Sequence, residues 1–328
     1  MRIGYFLASE EFGPAELVRQ ARLAEDHALT GVWVSDHYHP WNAEQGQSPF
    51  VWTTIGAILQ ATELQVTTAV TCPTTRIHPA IIAQAAATAG TLGEGRFTLG
   101  VGSGEALNET IFGDAWPGAD VRLEMLEEAV GVIRELFTGE VVRHHGAHYE
   151  VDHARLYTLP ERPVPIHMSG FGPASAALAG RIADGFINTK PDAELVKAFV
   201  DNGGADKPLR AGAKVCWAPT RDQGVETAHR VWANDELPGE LAQVLPTAEH
   251  FEQAVALVTL DMVGDSVPCG PDPQPYVESI RSYAKAGFDE LYLQQIGPDQ
   301  DEFFEFFAKE IEPLLALLPT VRDLDLPR

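Results

Sequence analysis

Asp36, His37, Tyr38, His39 and Trp41 stand within six residues, directly behind the apolar run 31–34. An imidazole titrates near neutral pH, so it can take and return a proton within one catalytic cycle, and a carboxylate can orient it. His37 beside Asp36 suits that task; its bland alternative is a loop histidine satisfied by backbone groups. His39 has the further option of packing on Pro40. Trp41 either packs on a rim or stacks on a planar ligand. The second candidate is Glu105, in "GSGEALNE" at 102–109. Gly102 and Gly104 permit close backbone approach there. Glu105 either caps the helix that follows or, buried beneath a flat ring, has its pKa raised and carries a proton for part of a cycle.

These residues need elements that bring them together. Short apolar, β-branched runs alternate with helical patterns along the chain. Strands are expected at 2–8, 31–36, 64–70, 96–102, 164–170, 185–189, 211–218 and 290–296. Helical spacing fills the intervals, with Pro14 at a favourable first-turn position. Eight β-then-α units predict an α/β fold, a (β/α)8 TIM barrel, whose strand ends meet at one catalytic face. A doubly wound open sheet would need a glycine-rich phosphate turn after its first strand, and that turn reads "SEEFGP". In a barrel, Ser9-Glu10-Glu11, Asp36-His37, Cys72 to Arg76, and Glu105 with Asn108 would all face the same mouth.

One barrel domain over 1–318 is expected, with insertions at the C-terminal face near 140–158 and 238–275 and a flexible tail at 319–328. The first insertion reads as a hairpin, the second as an irregular lid or side excursion. "RHHGAH" at 143–148 has metal-ligand residue types, but it lies on that hairpin, so no metal site is assigned. "GFGPASAALAG" at 170–180 is a strand-to-helix turn whose amides could hold a phosphate; a tight turn needs the same glycines.

The 328 residues are 45% hydrophobic, which supports a large core. Acids outnumber bases 47 to 23, for a net charge of −24. That argues against nucleic acid, whose phosphates need neutralising cations, and against anionic membranes. No segment reads as a membrane span. Three widely spaced cysteines suggest neither a disulfide framework nor a zinc pattern and fit a reducing cytoplasm.

"SDHYHPW", "CPTTRIHPA", "GVGSGEALNE", "SGFGPA" and "DGFINT" occur in an order that resembles the luciferase-like superfamily of flavin and deazaflavin enzymes. The resemblance is to the branch holding the coenzyme F420-dependent glucose-6-phosphate dehydrogenases, and it covers nearly the whole chain. It implies a deazaflavin across the barrel mouth, a homodimer, and an oxidoreductase moving a hydride between cofactor and a hydroxyl or carbonyl carbon. His37 matches the base for the substrate hydroxyl, and Glu105 the acid serving the ring. The two would flank the ring on either side. Trp41 matches an indole beside the reacting centre, and Glu10 an acidic pocket residue. Asp36, Cys72, Asn108, Gly172 and Thr189 match cofactor-contacting positions, with Gly170 and Phe171 in the same turn as Gly172. Ala69–Val70 falls where relatives carry a non-prolyl cis peptide.

The branch holds its substrate phosphate with cations, and the matching positions here read as acids: Asp192, a position near Asp265, and Asp301, with Lys190 beside the first. A phosphate dianion facing carboxylates is repelled by on the order of a few kcal/mol per contact. A neutral alcohol or sugar, or an amino sugar, is therefore the expected substrate. An FMN-dependent monooxygenase and a non-catalytic cofactor-binding barrel are the alternatives.

Overall fold

The computed structural model describes residues 1–316. The expected tail at 319–328 lies outside the described residues. Ten strands are present: β1 (Arg2–Leu7), β2 (Gly31–Val34), β3 (Gln65–Thr68), β4 (Phe97–Val101), β5 (Val142–His145), β6 (Glu150–Ala154), β7 (Ile166–Ser169), β8 (Gly185–Asn188), β9 (Leu209–Val215) and β10 (Glu290–Gln295). All but β5 and β6 close into one parallel barrel in the order β1-β10-β9-β8-β7-β4-β3-β2. Each expected strand contains one barrel strand or overlaps it closely. Buried on both faces, such strands read as near-continuous apolar runs, which is why they were legible. Helices lie between them, and four start with proline at a first-turn position: Pro14, Pro79, Pro173 and Pro273.

The barrel interior is layered. At its floor Glu290 of β10 meets Arg210 of β9 at 3.0 Å, also pairs with Arg2, and accepts from Tyr292 Oη at 2.7 Å. Above it Trp33 and Tyr292 stack at 4.5 Å, with Phe6 edge-on to Trp33 at 5.6 Å. Gly4 and Gly212 make room for this plate: a Cβ on Gly4 would lie 2.5 Å from the Tyr292 ring, and one on Gly212 3.0 Å from Trp33. Nearer the mouth, Lys214 and Gln294 face each other in register across β9 and β10. The mouth follows, at the C-terminal ends.

β5 and β6 form the expected hairpin. Tyr149 Oη donates to Thr74 O at 3.0 Å, so the hairpin braces the loop after β3. Its histidines disperse onto separate carboxylates, His144 to Glu128 (3.0 Å) and His145 to Glu150 (2.5 Å). No group of metal-ligating side chains occurs among the described residues. The stretch expected to be irregular, 238–275, is instead largely helical: Leu241–Val244, Ala248–Val255 and Leu260–Ser266, followed by the long helix that opens at Pro273. Thr247 and Thr259 cap the second and third of these short helices. Phe251 is fully buried and meets Trp41 edge-on at 5.0 Å, so the excursion seats on the loop after β2. Its return is tied to β9, since Cys216 N donates to Pro268 O (2.9 Å) and Gly270 N to Cys216 O (3.0 Å). Cys72, Cys216 and Cys269 are free thiols. No described helix is long and apolar enough to cross a membrane.

Glu290 is the one carboxylate shared by two arginines and a phenol at the floor. Truncating it leaves Arg210 with an uncompensated charge inside the barrel. Glu290→Ala should therefore destabilise the fold by about 3–5 kcal/mol in urea-induced unfolding.

Candidate active site

β1 and β2 end side by side, and their last hydrogen bonds come from side chains. Ser9 N donates to Ser35 Oγ (2.9 Å), Ser9 Oγ to Ser35 O (2.8 Å), and Ser35 Oγ to Glu10 Oε2 (2.7 Å). This fixes the buried Glu10 carboxylate with its other oxygen toward His37. His37 Nδ1 lies 2.9 Å from Glu10 Oε1, and Nε2 lies 2.9 Å from Glu105 Oε1. The Nδ1 approach is a charge contact rather than a well-directed hydrogen bond, for that nitrogen has no aligned acceptor.

Burial opposes the imidazolium, but the charge and proximity of Glu10 and Glu105 outweigh it and raise the His37 pKa to about 10. Burial likewise works against the Glu10 carboxylate, and His37, with Ser35, overcomes it, leaving its pKa lowered. Glu105 occupies the N-cap position of the short helix Ala106–Glu109 without capping it; its side chain goes to His37 instead. The two groups expected to flank a slot are thus in direct contact. Opposite charges in a partly dry mouth draw together.

Asp36 does not orient His37. It accepts from Thr71 Oγ1 (2.7 Å) and from Arg76 Nη2 (2.9 Å). Neighbours 36 and 37, beyond the end of β2, turn to different partners, and Glu10 takes the orienting role. Arg76 also holds Glu109, through its backbone N–H (2.9 Å) and side chain (3.4 Å). Burial pushes Glu109 up to about 7 despite Arg76. Burial, with Glu109 and Glu105 nearby, holds the Cys72 thiol neutral, well above its ordinary pKa. Gly104 sits at φ +80°, where a Cβ would be 2.8 Å from Glu109 Cγ; glycine is required.

Asn108 Oδ1 accepts from Tyr38 N (2.8 Å) and His39 N (2.9 Å), while its buried Nδ2 has no partner. His39 Nδ1 lies 3.1 Å from Leu107 O. Trp41 stands edge-on to His37 at 5.0 Å. The Ala69–Val70 peptide is cis. Gly170 O accepts from Asn188 Nδ2 (2.7 Å), and Gly172 opens the helix Pro173–Ile182 beside an exposed Phe171. Thr189 N donates to Asn188 Oδ1 (2.7 Å) and Thr189 O accepts from Tyr283 Oη (2.8 Å).

The supposed acidic substrate pocket comes apart. Asp192 caps the helix Ala193–Phe199, accepting from Glu194 N and Leu195 N. Asp301 is exposed and takes Arg19 at 2.8 Å from both carboxylate oxygens, on the outer shell of helices. Asp265 is exposed on the helix Leu260–Ser266, and Lys190 is exposed after β8. Sequence reasoning missed Glu109 and passed over Arg76, Glu11 and Lys214. Glu11 accepts from Trp232 Nε1 (2.5 Å) and Gly297 N (2.9 Å), and burial raises it to about 7. Two further acids at strand ends, next to Glu10 and within "GEALNE", were the available signal.

The luciferase-like monooxygenase family model matches residues 1–290. The chain belongs to that family. An F420-dependent glucose-6-phosphate dehydrogenase of Amycolatopsis mediterranei is 35% identical, over 97% of this chain and 99% of its own. Its counterpart from Nakamurella multipartita is 36% identical over 97% of each chain. A solved F420-dependent secondary alcohol dehydrogenase, in complex with an F420-acetone adduct, superposes with a TM-score of 0.86 at 30% identity, over 94% of this chain and 98% of that one.

The held imidazolium is directly measurable. By NMR titration His37 should remain protonated through neutral pH. Glu10→Gln, which removes the first of the influences raising it, should drop its pKa by more than one unit. An unchanged value would show that Glu10 is not the holding charge.

Proposed function

We propose that this protein is a coenzyme F420-dependent oxidoreductase acting on the carbinol or carbonyl carbon of a small, non-phosphorylated alcohol or sugar, with amino sugars also admitted. The observation that carries the reading is His37 held between Glu10 and Glu105 at a barrel mouth. The residues present fit a deazaflavin. The buried Asn108 Nδ2, Thr74 Oγ1, Thr75 Oγ1 and Trp116 Nε1, all near the ends of β3 and β4, lack protein partners and suit a ligand rich in acceptors. Ala69 and Val70 offer an apolar backing, and Gly102 admits close approach, since a Cβ there would lie 2.6 Å from Val70 Cγ2. Asn108, Cys72, Thr189 and the Gly170–Gly172 turn would hold the remainder. When bound, the deazaflavin supplies the carbon that takes or gives the hydride.

The protein manages protons. Glu10 is buried and keeps Nδ1 charged with its proton; Glu105, the more exposed partner, shares one proton with Nε2. With that proton on Glu105, Nε2 is free to take the substrate's hydroxyl proton, and Glu105 has a proton to donate toward the mouth. Both transfers together restore the imidazolium–carboxylate pair, so oxidation leaves the site in its starting charge state. Reduction runs the same transfers backward. Trp41 shields one side of the reacting carbon from water.

The absence of phosphate recognition rests on pairing. Arg76 is neutralised by Asp36 and Glu109, and Lys214 by Asp235 at 2.6 Å. Arg122 donates to Pro117 O and Gln243 Oε1 and lies over Trp116. Asp192 and Asp301 are not what repels a phosphate; Arg76 and Lys214 are already met by carboxylates, while Arg122 is held by neutral acceptors and Lys190 is peripheral.

Two outcomes test this. His37→Ala should cut kcat for F420-linked alcohol oxidation by about 10²–10⁴-fold. The wild-type kcat/KM should show no inflection near pH 6.5, hold steady through neutrality and fall only as the shared proton is lost toward pH 10. In Glu105→Gln, oxidation should instead rise with pH, because His37 then has to lose a proton before it can act. Glucose 6-phosphate should be a poor substrate beside neutral alcohols; micromolar KM for it would overturn the pairing argument. Tight FMN binding with no deazaflavin affinity, read by absorbance, would favour a monooxygenase.

A further inference from the structure

The barrel carries a polar patch that proton transfer at His37 does not use. Along β9, Arg210 reaches Glu290 across the floor and Gly212 faces the Trp33 ring. Side chains alternate along a strand. Lys214 therefore also points inward, one layer nearer the mouth, opposite Gln294 of β10. Lys214 Nζ lies 2.6 Å from Asp235 Oδ2 and 4.0 Å from the centre of the Trp232 ring. Trp232 is bound to Glu11, the neighbour of the residue that holds His37, and shares an apolar cluster with Trp41, Ala8 and Ile296. The patch is thus the wall adjoining Trp41 and the reacting centre. Two buried atoms bear on it without a partner: the donor Gln294 Nε2, on the residue in register with Lys214, and the acceptor Asn234 Oδ1, on the residue preceding Asp235, the ion-pair partner of Lys214. An unmet buried donor and acceptor are costly in a folded chain and call for a ligand or water.

We propose that Gln294, Asn234 and Lys214 form a subsite for a second hydroxyl group of the substrate, so that the preferred substrate is a polyol or sugar rather than a monohydric alcohol. This deepens the reading of an F420-dependent alcohol oxidoreductase and rests on it. A hydroxyl both accepts, from Gln294 or Lys214, and donates, to Asn234. An ether oxygen meets only the first need. A carboxylate meets only the first and also faces Glu11 and Asp235. The Lys214 charge is already balanced, so it contributes a hydrogen bond rather than selection for an anion.

The test compares matched pairs on the F420-loaded enzyme: 2-propanol with 1,2-propanediol, and cyclohexanol with 1,2-cyclohexanediol. Wild type should favour the diols in kcat/KM by at least about tenfold, since a site built to bond a hydroxyl rejects the analogue lacking it. Gln294→Met and Lys214→Met should each reduce that preference to under about threefold. Gln294→Met should also raise the Tm, because it removes an unpartnered buried amide. A lower Tm would mean that the amide serves the fold and would overturn the proposal. So would equal turnover of the monohydric alcohols, or a diol preference that survives in both variants. Calorimetric diol binding provides an arm independent of turnover. Binding by wild type but not by Gln294→Met, with no alcohol oxidised, would sink the proposed reaction and leave the subsite standing.

Discussion

A single buried positive charge organises the mouth of this barrel. His37 is an imidazolium because two carboxylates from two different strand ends converge on it, Glu10 behind β1 and Glu105 behind β4. The buried Glu10 carboxylate would not be comfortable there alone. Desolvation works against the charge on Glu10 and on His37 alike, and each is held ionised chiefly by the other. Such a cluster titrates as a unit, so its proton belongs to the pair rather than to one residue. The barrel is what makes it possible: β1 and β2 pair directly, and the curvature of the sheet through β3 carries the end of β4 round to the same mouth.

A second ionic cluster lies alongside. Asp36, Arg76 and Glu109 form a carboxylate–guanidinium–carboxylate group that is almost fully buried and tied to Thr71. It joins the loops after β2, β3 and β4, and the hairpin braces the same loop through Tyr149. Replacing one partner in such a group leaves an uncompensated buried charge. The cluster therefore fixes the backbone from which His37 and Glu105 project, although none of its members reaches the reacting centre. Adjacent residues 36 and 37 thus divide the labour, Asp36 turning to Arg76 and His37 to Glu10 and Glu105.

The sequence was legible where the local signal was strong and was misread where tertiary contacts decided the outcome. Eight apolar runs and their spacing were enough for the barrel, because strands buried on both faces leave a strong local signal. Placing His37 and Glu105 at one mouth followed from strand order. Pairing His37 with Asp36 took sequence neighbours for spatial partners, and Glu10, three residues beyond the end of β1, was the available partner. Asp192 and Asp301 failed for a different reason. Position in an alignment says nothing about which side of a helix start a carboxylate faces, and one caps a helix while the other meets Arg19 outside. The excursion at 238–275 looked irregular because its helices are too short for a periodic pattern; only Thr247 and Thr259 announced them.

The layering inside the barrel connects these features to substrate choice. The floor is ionic but closed, with Glu290 balanced by two arginines. The Trp33–Tyr292 plate above it is apolar and fits only because Gly4 and Gly212 lack side chains. Over that plate the polarity returns, first as Lys214 and Gln294, then as the charged rim around His37. A substrate entering from the mouth meets carboxylates at the rim, a cation already neutralised by Asp235, and unmet neutral donor and acceptor groups between them. Arg76 and Lys214 are each met by carboxylates, so much of the positive charge at the mouth is already balanced. The charge pattern of the mouth is thus set less by any one contact than by the pairing of its cations with neighbouring carboxylates.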